Sequence, residues 1–446
     1  MSALKQPRKA TSTWPPHPPM DESEEESRVR LEQEAEAKRV SDNIDRALAV
    51  EREQLKKKES GAKILLLGQA ESGKSTVLKN FQLHLSPRAF EADAALWCPV
   101  IHLNLARSVN FVLNTLNKSL ESGRNSTTEY LRKLDGLRRY FIRLAPLRQV
   151  EESLTQKIFG STLPYPDGRT APYHPSRASE VELRSGSGWK GLFKVKRQID
   201  TSMTEPNRRI LAACADDILN LWSDPFVQAC LKAQNIILED QPGFFVEDVR
   251  RVTEEGYKPI SADILRARVA TIGPEEHLIQ VEGGTDTTDW TIYDVGAAWA
   301  QFFDDVNVII FLAPISAFNQ NLDEDESVNR LVDSMRLWEQ ICSNKILASV
   351  ELILFLNKQD ILDAKLKAGI RFAKYITAYG NRINDTKNIS RYLQEAFAAL
   401  HQQNSPQKRR LHSHLTCAID THATATVIKQ LREHIVVKLL ASSNII

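Results

Sequence analysis

The sequence predicts an α/β protein, a doubly wound sheet interrupted by an all-helical insertion. Three observations carry that prediction. Short apolar runs recur at Ile64–Leu67, Thr291–Tyr293, Val308–Leu312, Leu352–Leu356 and Leu415–Ala418, each the length of a strand buried in a parallel sheet. Helical patterns separate the later runs, at Ser327–Ile341, Ser390–His401 and from about Ala423 onward, and strands alternating with helices build a doubly wound sheet. Between about Ser86 and Lys258 the pattern changes: helical stretches at Val109–Leu116, Tyr130–Leu144, Arg209–Trp222 and Phe226–Gln234 occur with no convincing strand series.

Composition narrows the functional class. At roughly 100–200 residues per domain, 446 residues suggest about two to four units. The 58 Lys+Arg against 57 Asp+Glu leave a net charge of +1, which argues against a dedicated nucleic-acid binder. A chain that is 42% hydrophobic and 26% charged has the composition of a globular protein and is not mostly disordered. Cys98, Cys214, Cys230, Cys342 and Cys417 are too scattered for a disulfide scaffold and form no CxxC pair, which predicts a reducing compartment. No apolar run reaches the ~20 residues of a membrane span. The N-terminal stretch lacks the apolar segment of a signal peptide. The expectation is a cytoplasmic protein.

Along the chain, residues 1 to 20 are rich in Pro, Lys and Ser and are expected to lack order. Asp21 to Lys58 runs from acidic to basic, which suits a helix dipole, and Val40, Ile44, Leu48 and Leu55 lay a narrow apolar stripe along it. That stripe fits either a solvated helix or one that docks a partner. Ile64–Leu67 is the first strand. Gly160 to Gly191 is dense in Gly, Pro and Ser and reads as a long flexible loop. In the last helix Val427, Leu431, Ile435 and Leu439 keep an i, i+4 spacing that buries one face.

The strongest local signal is Gly68-Gln69-Ala70-Glu71-Ser72-Gly73-Lys74-Ser75, a GxxxxGK[ST] pattern between a strand and a helix. Its glycines let successive N–H groups curl around phosphate oxygens, Lys74 reaches the terminal phosphates, and Ser75 offers a hydroxyl to Mg²⁺. The helix N-terminus adds a positive field. Base selection follows from Asn357-Lys358-Gln359-Asp360 at the end of the strongest apolar run. The Asp360 carboxylate can accept from guanine N1–H and its exocyclic amine, while the Lys358 stem lies along the base. Adenine lacks both donors, and leaving a buried carboxylate unpaired costs on the order of 10⁴-fold. Thr416-Cys417-Ala418 then offers a backbone N–H, at Ala418, to guanine O6.

Further blocks stand in a telling order: Asp263-Ile264-Leu265-Arg266-Ala267-Arg268-Val269-Ala270-Thr271, Leu221-Trp222-Ser223-Asp224 leading into Val227-Gln228-Ala229-Cys230, Glu324-Asp325-Glu326 with Asn329-Arg330, and Ile341-Cys342-Ser343-Asn344-Lys345. With them the chain resembles a heterotrimeric G-protein α subunit over about Ser41 to Ile446. The resemblance implies a Ras-like P-loop GTPase domain over 59–85 and 259–446, an inserted helical domain over 86–258, and an N-terminal helix within 1–58. It places Glu71, Ser72, Gly73, Lys74, Ser75 and Thr76 around the phosphates of GTP or GDP. It makes Arg268 the arginine that neutralises charge developing on the γ-phosphate. Ser75 and Thr271 would be the protein ligands of Mg²⁺, and Asp294 would hold a metal-bound water. Gly296 would lie near the γ-phosphate, Leu265 and Arg266 would flank the nucleotide, and Asp224 would face it from the insertion. The implied partners are a βγ dimer, a G protein-coupled receptor at the C-terminal helix, and an effector.

Two departures modify this expectation. Members of the family read DVGGQ after the third strand, whereas this chain reads Asp294-Val295-Gly296-Ala297-Ala298-Trp299 and reaches Phe302-Phe303 about six residues early. The glutamine that orients the attacking water is missing beside Gly296, and Gln301 falls past the shortened turn. Ala70 stands where the family has glycine, which crowds the γ-phosphate. Both changes leave the binding groups and predict slow hydrolysis. The shortened segment also predicts a weakened βγ contact. Ser at position 2 and a first cysteine at Cys98 leave no N-terminal acylation signal. Any association with the inner face of the plasma membrane would be peripheral.

Overall fold

The apolar runs at Ile64–Leu67, Val308–Leu312 and Leu352–Leu356 form strands in the computed structural model. It describes residues 62–122, 128–159, 182–184, 205–234, 236, 238, 243–268, 270–272, 275–281, 289–295, 306–322, 325–406, 409–417 and 420–442, with parts of an N-terminal helix between 23 and 46. The expectations for residues 1–20, for Leu48 and Leu55, for Gly160 to Gly191 outside 182–184, for Gly296 to Phe303, for the Leu439 side chain and for Ala418 lie outside the described residues. The N-terminal helix forms a unit of its own, separate from the unit at Gly61–Ile446. Its Val40 and Ile44 are exposed, and Arg39 pairs with Glu36 at 3.1 Å.

The larger unit contains β1 (Lys63–Leu67), α1 (Lys74–Leu85), α2 (Pro87–Ala92), α3 (Cys98–Ser122), α4 (Thr128–Arg143) and α5 (Pro146–Phe159). Next come β2 (Glu182–Arg184), α6 (Glu205–Ala213), α7 (Ala215–Ser223), α8 (Pro225–Ala233), α9 (Val249–Val252) and α10 (Ser261–Arg266). The chain then runs through β3 (Ala270–Ile272), β4 (Glu275–Gln280), β5 (Asp289–Asp294), β6 (Val308–Pro314), α11 (Arg330–Ser343) and β7 (Glu351–Asn357). It finishes with α12 (Gln359–Lys367), α13 (Thr386–Asn404), β8 (Leu411–Thr416) and α14 (Thr421–Ser442). Among the described residues no helix is long and apolar enough to cross a membrane.

Six strands form one sheet in the order β4-β5-β1-β6-β7-β8, parallel throughout except where β4 runs antiparallel to β5. Every residue of β6 is buried, because helices cover both faces of a parallel sheet. Period-two alternation divides the side chains between two cores. Leu65, Leu67, Ile309, Phe311, Leu352 and Leu354 pack with Trp338 of α11 and Phe397 of α13. Ile64, Leu66, Ile310 and Phe355 pack with Phe81 of α1 and Ile428, Leu431 and Ile435 of α14. The buried face of α14 therefore runs through Ile428, with Val427 at its border. A third core, spanning Phe90 to Ala267, fills the helical insertion and continues past it to Ile264 and Ala267.

Three sequence expectations are corrected. The Gly160–Gly191 stretch is not loop throughout: β2 pairs in parallel with β3, Glu182 opposite Ala270 and Arg184 opposite Ile272. A three-residue strand is too short to show a period. The expected helix at Arg209–Trp222 is two helices meeting at Cys214. The expected strand at Leu415–Ala418 begins earlier, at Leu411, because His412, Ser413 and His414 interrupt the apolar run in this edge strand.

Candidate functional site

The loops after β1 and β7 leave the sheet at the carboxyl ends of their strands, with β6 between them, where open α/β sheets bind ligands. After β1 the chain turns sharply. Gly68 has φ +149°, and a Cβ there would sit 2.5 Å from the Leu312 carbonyl oxygen and 2.7 Å from Ser72 Oγ. Gly73 has φ +101°, and its Cβ would collide with Asn357 Nδ2. Glycine is required at both positions. Glu71 takes a left-handed conformation at φ 59° between them. Lys74 then opens α1 and curls back, its Nζ donating to the Gly68 and Gln69 carbonyls at 2.9 Å each. This is a glycine-bounded cradle of backbone N–H groups at a helix N-terminus, suited to polyanions. Thr76 lies in the first turn of α1.

Asp294, the last residue of β5, is buried and accepts from Ser75 Oγ at 3.1 Å. Burial pushes its carboxyl above the ordinary range, while the Lys74 ammonium pulls it back. Burial likewise lowers Lys74, and Asp294 opposes the shift. A buried carboxylate beside a hydroxyl is a hard-oxygen pair, the donor chemistry that suits a divalent cation such as Mg²⁺. Thr271 lies in β3; only its backbone is described.

The base-reading loop follows β7. Lys358 adopts φ 66° and caps α12, and Asp360 sits exposed in that helix's first turn, so the carboxylate expected to be buried is open to solvent. Burial lowers the Lys358 ammonium, countered by Glu71. Asn357 is fully buried, donates from Nδ2 to the Ser72 carbonyl at 2.8 Å, and accepts from Thr416 Oγ1 at 3.2 Å. One amide thus ties the base loop, the phosphate loop and the end of β8 together.

Arg268 reaches the phosphate loop. Its Nη2 donates to Glu71 Oε1 at 2.7 Å, and Arg330 at the start of α11 donates to Glu71 Oε2 at 3.1 Å and to the Ala70 carbonyl at 2.7 Å. Burial would raise the Glu71 carboxyl, but Arg268, Lys358 and Arg330 outweigh it and hold it at about 2. Leu265 is buried. The Arg266 guanidinium turns elsewhere, pairing with Asp248 and lying 4.3 Å from the Phe245 ring centroid. Asp224 caps α8, its carboxylate accepting from the Phe226 N–H at 2.8 Å.

Sequence reasoning assigned no role to Arg330, Asn104 or Lys79. Arg330 lay within a recognised block, but nothing in the sequence pairs it with Glu71. Lys79 carried no sequence signal; it is buried in α1 along with Val77, Leu78 and Phe81.

The profile of the G-protein alpha subunit family matches residues 38–435. The chain is 28% identical to the guanine nucleotide-binding protein alpha-4 subunit of Mycosarcoma maydis, covering 94% of this chain and 92% of the relative. It is also 28% identical to the G(o) subunit alpha of Geodia cydonium, over 93% of this chain and 98% of that protein. An alpha-15 subunit of Caenorhabditis elegans is 34% identical over 47% of this chain and 59% of its own length. The family consists of guanine nucleotide-binding GTPases with a Ras-like domain and a helical insertion, the architecture described above. With that profile covering most of its length and both nucleotide loops gathered at one end of the sheet, the chain belongs to the G-protein alpha subunit family.

Proposed function

We propose that this chain is a receptor-driven guanine-nucleotide switch that binds GTP and GDP firmly and hydrolyses GTP slowly. The observation that carries the reading is the Asn357 amide, which fixes the base loop against the phosphate loop and so builds one site for one nucleotide. In it Glu71 to Thr76 surround the phosphates, Asn357, Lys358, Asp360 and Ala418 define the guanine end, and Leu265, the main chain of Arg266 and Asp224 border the ligand. Ser75 and Thr271 would hold Mg²⁺, with Asp294 and Gly296 beside them. The metal would supply a positive charge that balances the phosphate oxygens.

Catalysis falls to Arg268, which stabilises charge on the transferring phosphoryl group. Its guanidinium already meets the phosphate loop through Glu71. The sequence Asp294-Val295-Gly296-Ala297-Ala298 offers no glutamine to orient water, and Ala70 narrows the space beside the γ-phosphate. Binding groups persist while a positioning group is lost. We place the boundaries of the GTPase domain at 59–85 and 259–446 and those of the helical insertion at 86–258. The receptor engages the C-terminal helix, and the protein works in the cytoplasm, peripherally at the membrane.

Single-turnover hydrolysis by the purified protein, beside a family member that carries the glutamine, tests the reading. The expected rate is at least roughly tenfold lower; an equal rate overturns slow turnover. A second reading, a permanently GTP-loaded interaction module, is favoured by the same two departures. It predicts GTP as the nucleotide recovered with the protein and no receptor-stimulated exchange, whereas recovered GDP supports the cycle.

A further inference from the structure

Asn104 lies in α3, inside the helical insertion, and is fully buried. Its side-chain amide meets the main chain of Arg268 twice. Oδ1 accepts from the Arg268 N–H at 2.9 Å, and Nδ2 donates to the Arg268 carbonyl at 3.0 Å. From the GTPase side, Lys79 of α1 donates from Nζ to the carbonyls of Ile264 at 2.8 Å and Ala267 at 2.5 Å, and lies 4.4 Å from the Trp97 ring centroid. The backbone over 264–268 is therefore held between a side chain of the nucleotide-binding helix and a side chain of the insertion. The Arg268 guanidinium itself is bonded to Glu71.

We propose that Asn104 is a positioning residue for Arg268, fixing the arginine's backbone so that its guanidinium meets the phosphate. The proposal rests on the reading of Arg268 as the phosphate-facing arginine. An amide that presents its oxygen and its nitrogen to the same residue fixes the peptide planes on both sides of that residue's Cα. An arginine side chain has several rotatable bonds, so a small rotation at its Cα becomes a large displacement at its tip. Catalytic geometry tolerates little of that: a misplacement of about 1 Å can cost on the order of 10²-fold. The clamp also makes the arginine's position depend on how the insertion is docked. A helical domain is thereby connected to the chemistry without contributing a reacting group. Lys79 braces the preceding turn from the other side.

The test compares full-length wild type, Asn104→Ala, Arg268→Ala and the double variant. Each is titrated by calorimetry with GDP alone and with GDP plus aluminium fluoride, whose planar fluoride complex mimics the transferring phosphoryl group. Asn104→Ala should bind GDP within about threefold of wild type but lose roughly tenfold to hundredfold in the fluoride complex. Adding it to Arg268→Ala should cause no further loss, because the clamp acts through that arginine. If Asn104→Ala keeps wild-type affinity while Arg268→Ala loses it, the positioning role is overturned and the arginine reading stands. Losses that add in the double variant also overturn it, since they describe a general structural defect. If Arg268→Ala equals wild type in the fluoride complex, the arginine reading itself fails. Should Asn104→Ala not fold, Asn104→Asp keeps the size and the N–H contact and is judged by the same comparisons.

Discussion

Glu71 concentrates the electrostatics of the site in one side chain. It sits at φ 59°, a conformation that costs a non-glycine residue roughly 1 kcal/mol or more, and two arginines grip its carboxylate. Its carboxyl is held at about 2 against an ordinary 4.5. A folded-state value below the unfolded one stabilises the protein fully above pH ~4.5, and this contribution drains away as pH falls toward 2. For this largely buried group the contribution is on the order of 3 kcal/mol. Glu71→Gln should therefore be less stable than wild type at pH 6, and the gap should shrink by pH 3. Urea unfolding of the nucleotide-free protein at both pH values measures it; an unchanged gap contradicts the account.

At the scale of elements, legibility followed burial symmetry. Strands β6 and β7 are apolar throughout and were readable, whereas β4 alternates buried and exposed residues, with charged and polar side chains in the series, and was missed. Helix α12 was missed too, because its nine residues begin directly inside the base-reading motif. Helix α11 begins at an N-cap that also serves the site. Asn329 Oδ1 accepts from the N–H groups of Leu331 and Val332 at 3.0 and 3.2 Å, and its Nδ2 donates to the Phe318 carbonyl at 2.6 Å. The next residue is Arg330, which grips Glu71 and Ala70. Asn329→Ala should cost about 1–2 kcal/mol of stability by chemical denaturation, and it should weaken GTP binding as well. A loss of stability with unaltered nucleotide affinity would separate the cap from the site.

For the whole molecule, ligand and fold should be linked. A nucleotide that binds only the folded chain stabilises it by about 2.7 kcal/mol when present at 100 times its Kd. GTP with magnesium should raise the thermal midpoint and ATP should not, because Asp360 discriminates by the donors that adenine lacks. Asp360→Asn should abolish most of the GTP shift; a response of equal size to both nucleotides would refute guanine selectivity. The curtailed segment after Gly296 bears on assembly as well. A pull-down with a βγ dimer should give weaker capture than a family member of ordinary length, and nanomolar binding would refute this.

The sequence alone determined the α/β class, the helical insertion and the two nucleotide loops, because burial on both faces of a sheet and phosphate cradling each demand particular residues at short spacing. Lys74, Ser75 and Asp360 could be singled out because they lie in short local motifs, and Arg268 only because its block resembles the family's. The tertiary structure decided what joins these pieces. Asn104 meets Arg268 across 164 residues, Arg330 meets Glu71 across 259, and Asn357 meets Ser72 across 285. Such partners carry no sequence period and no fixed spacing. A buried polar group takes whichever neighbour the packed layers bring within hydrogen-bond reach, and only the folded chain specifies that neighbour.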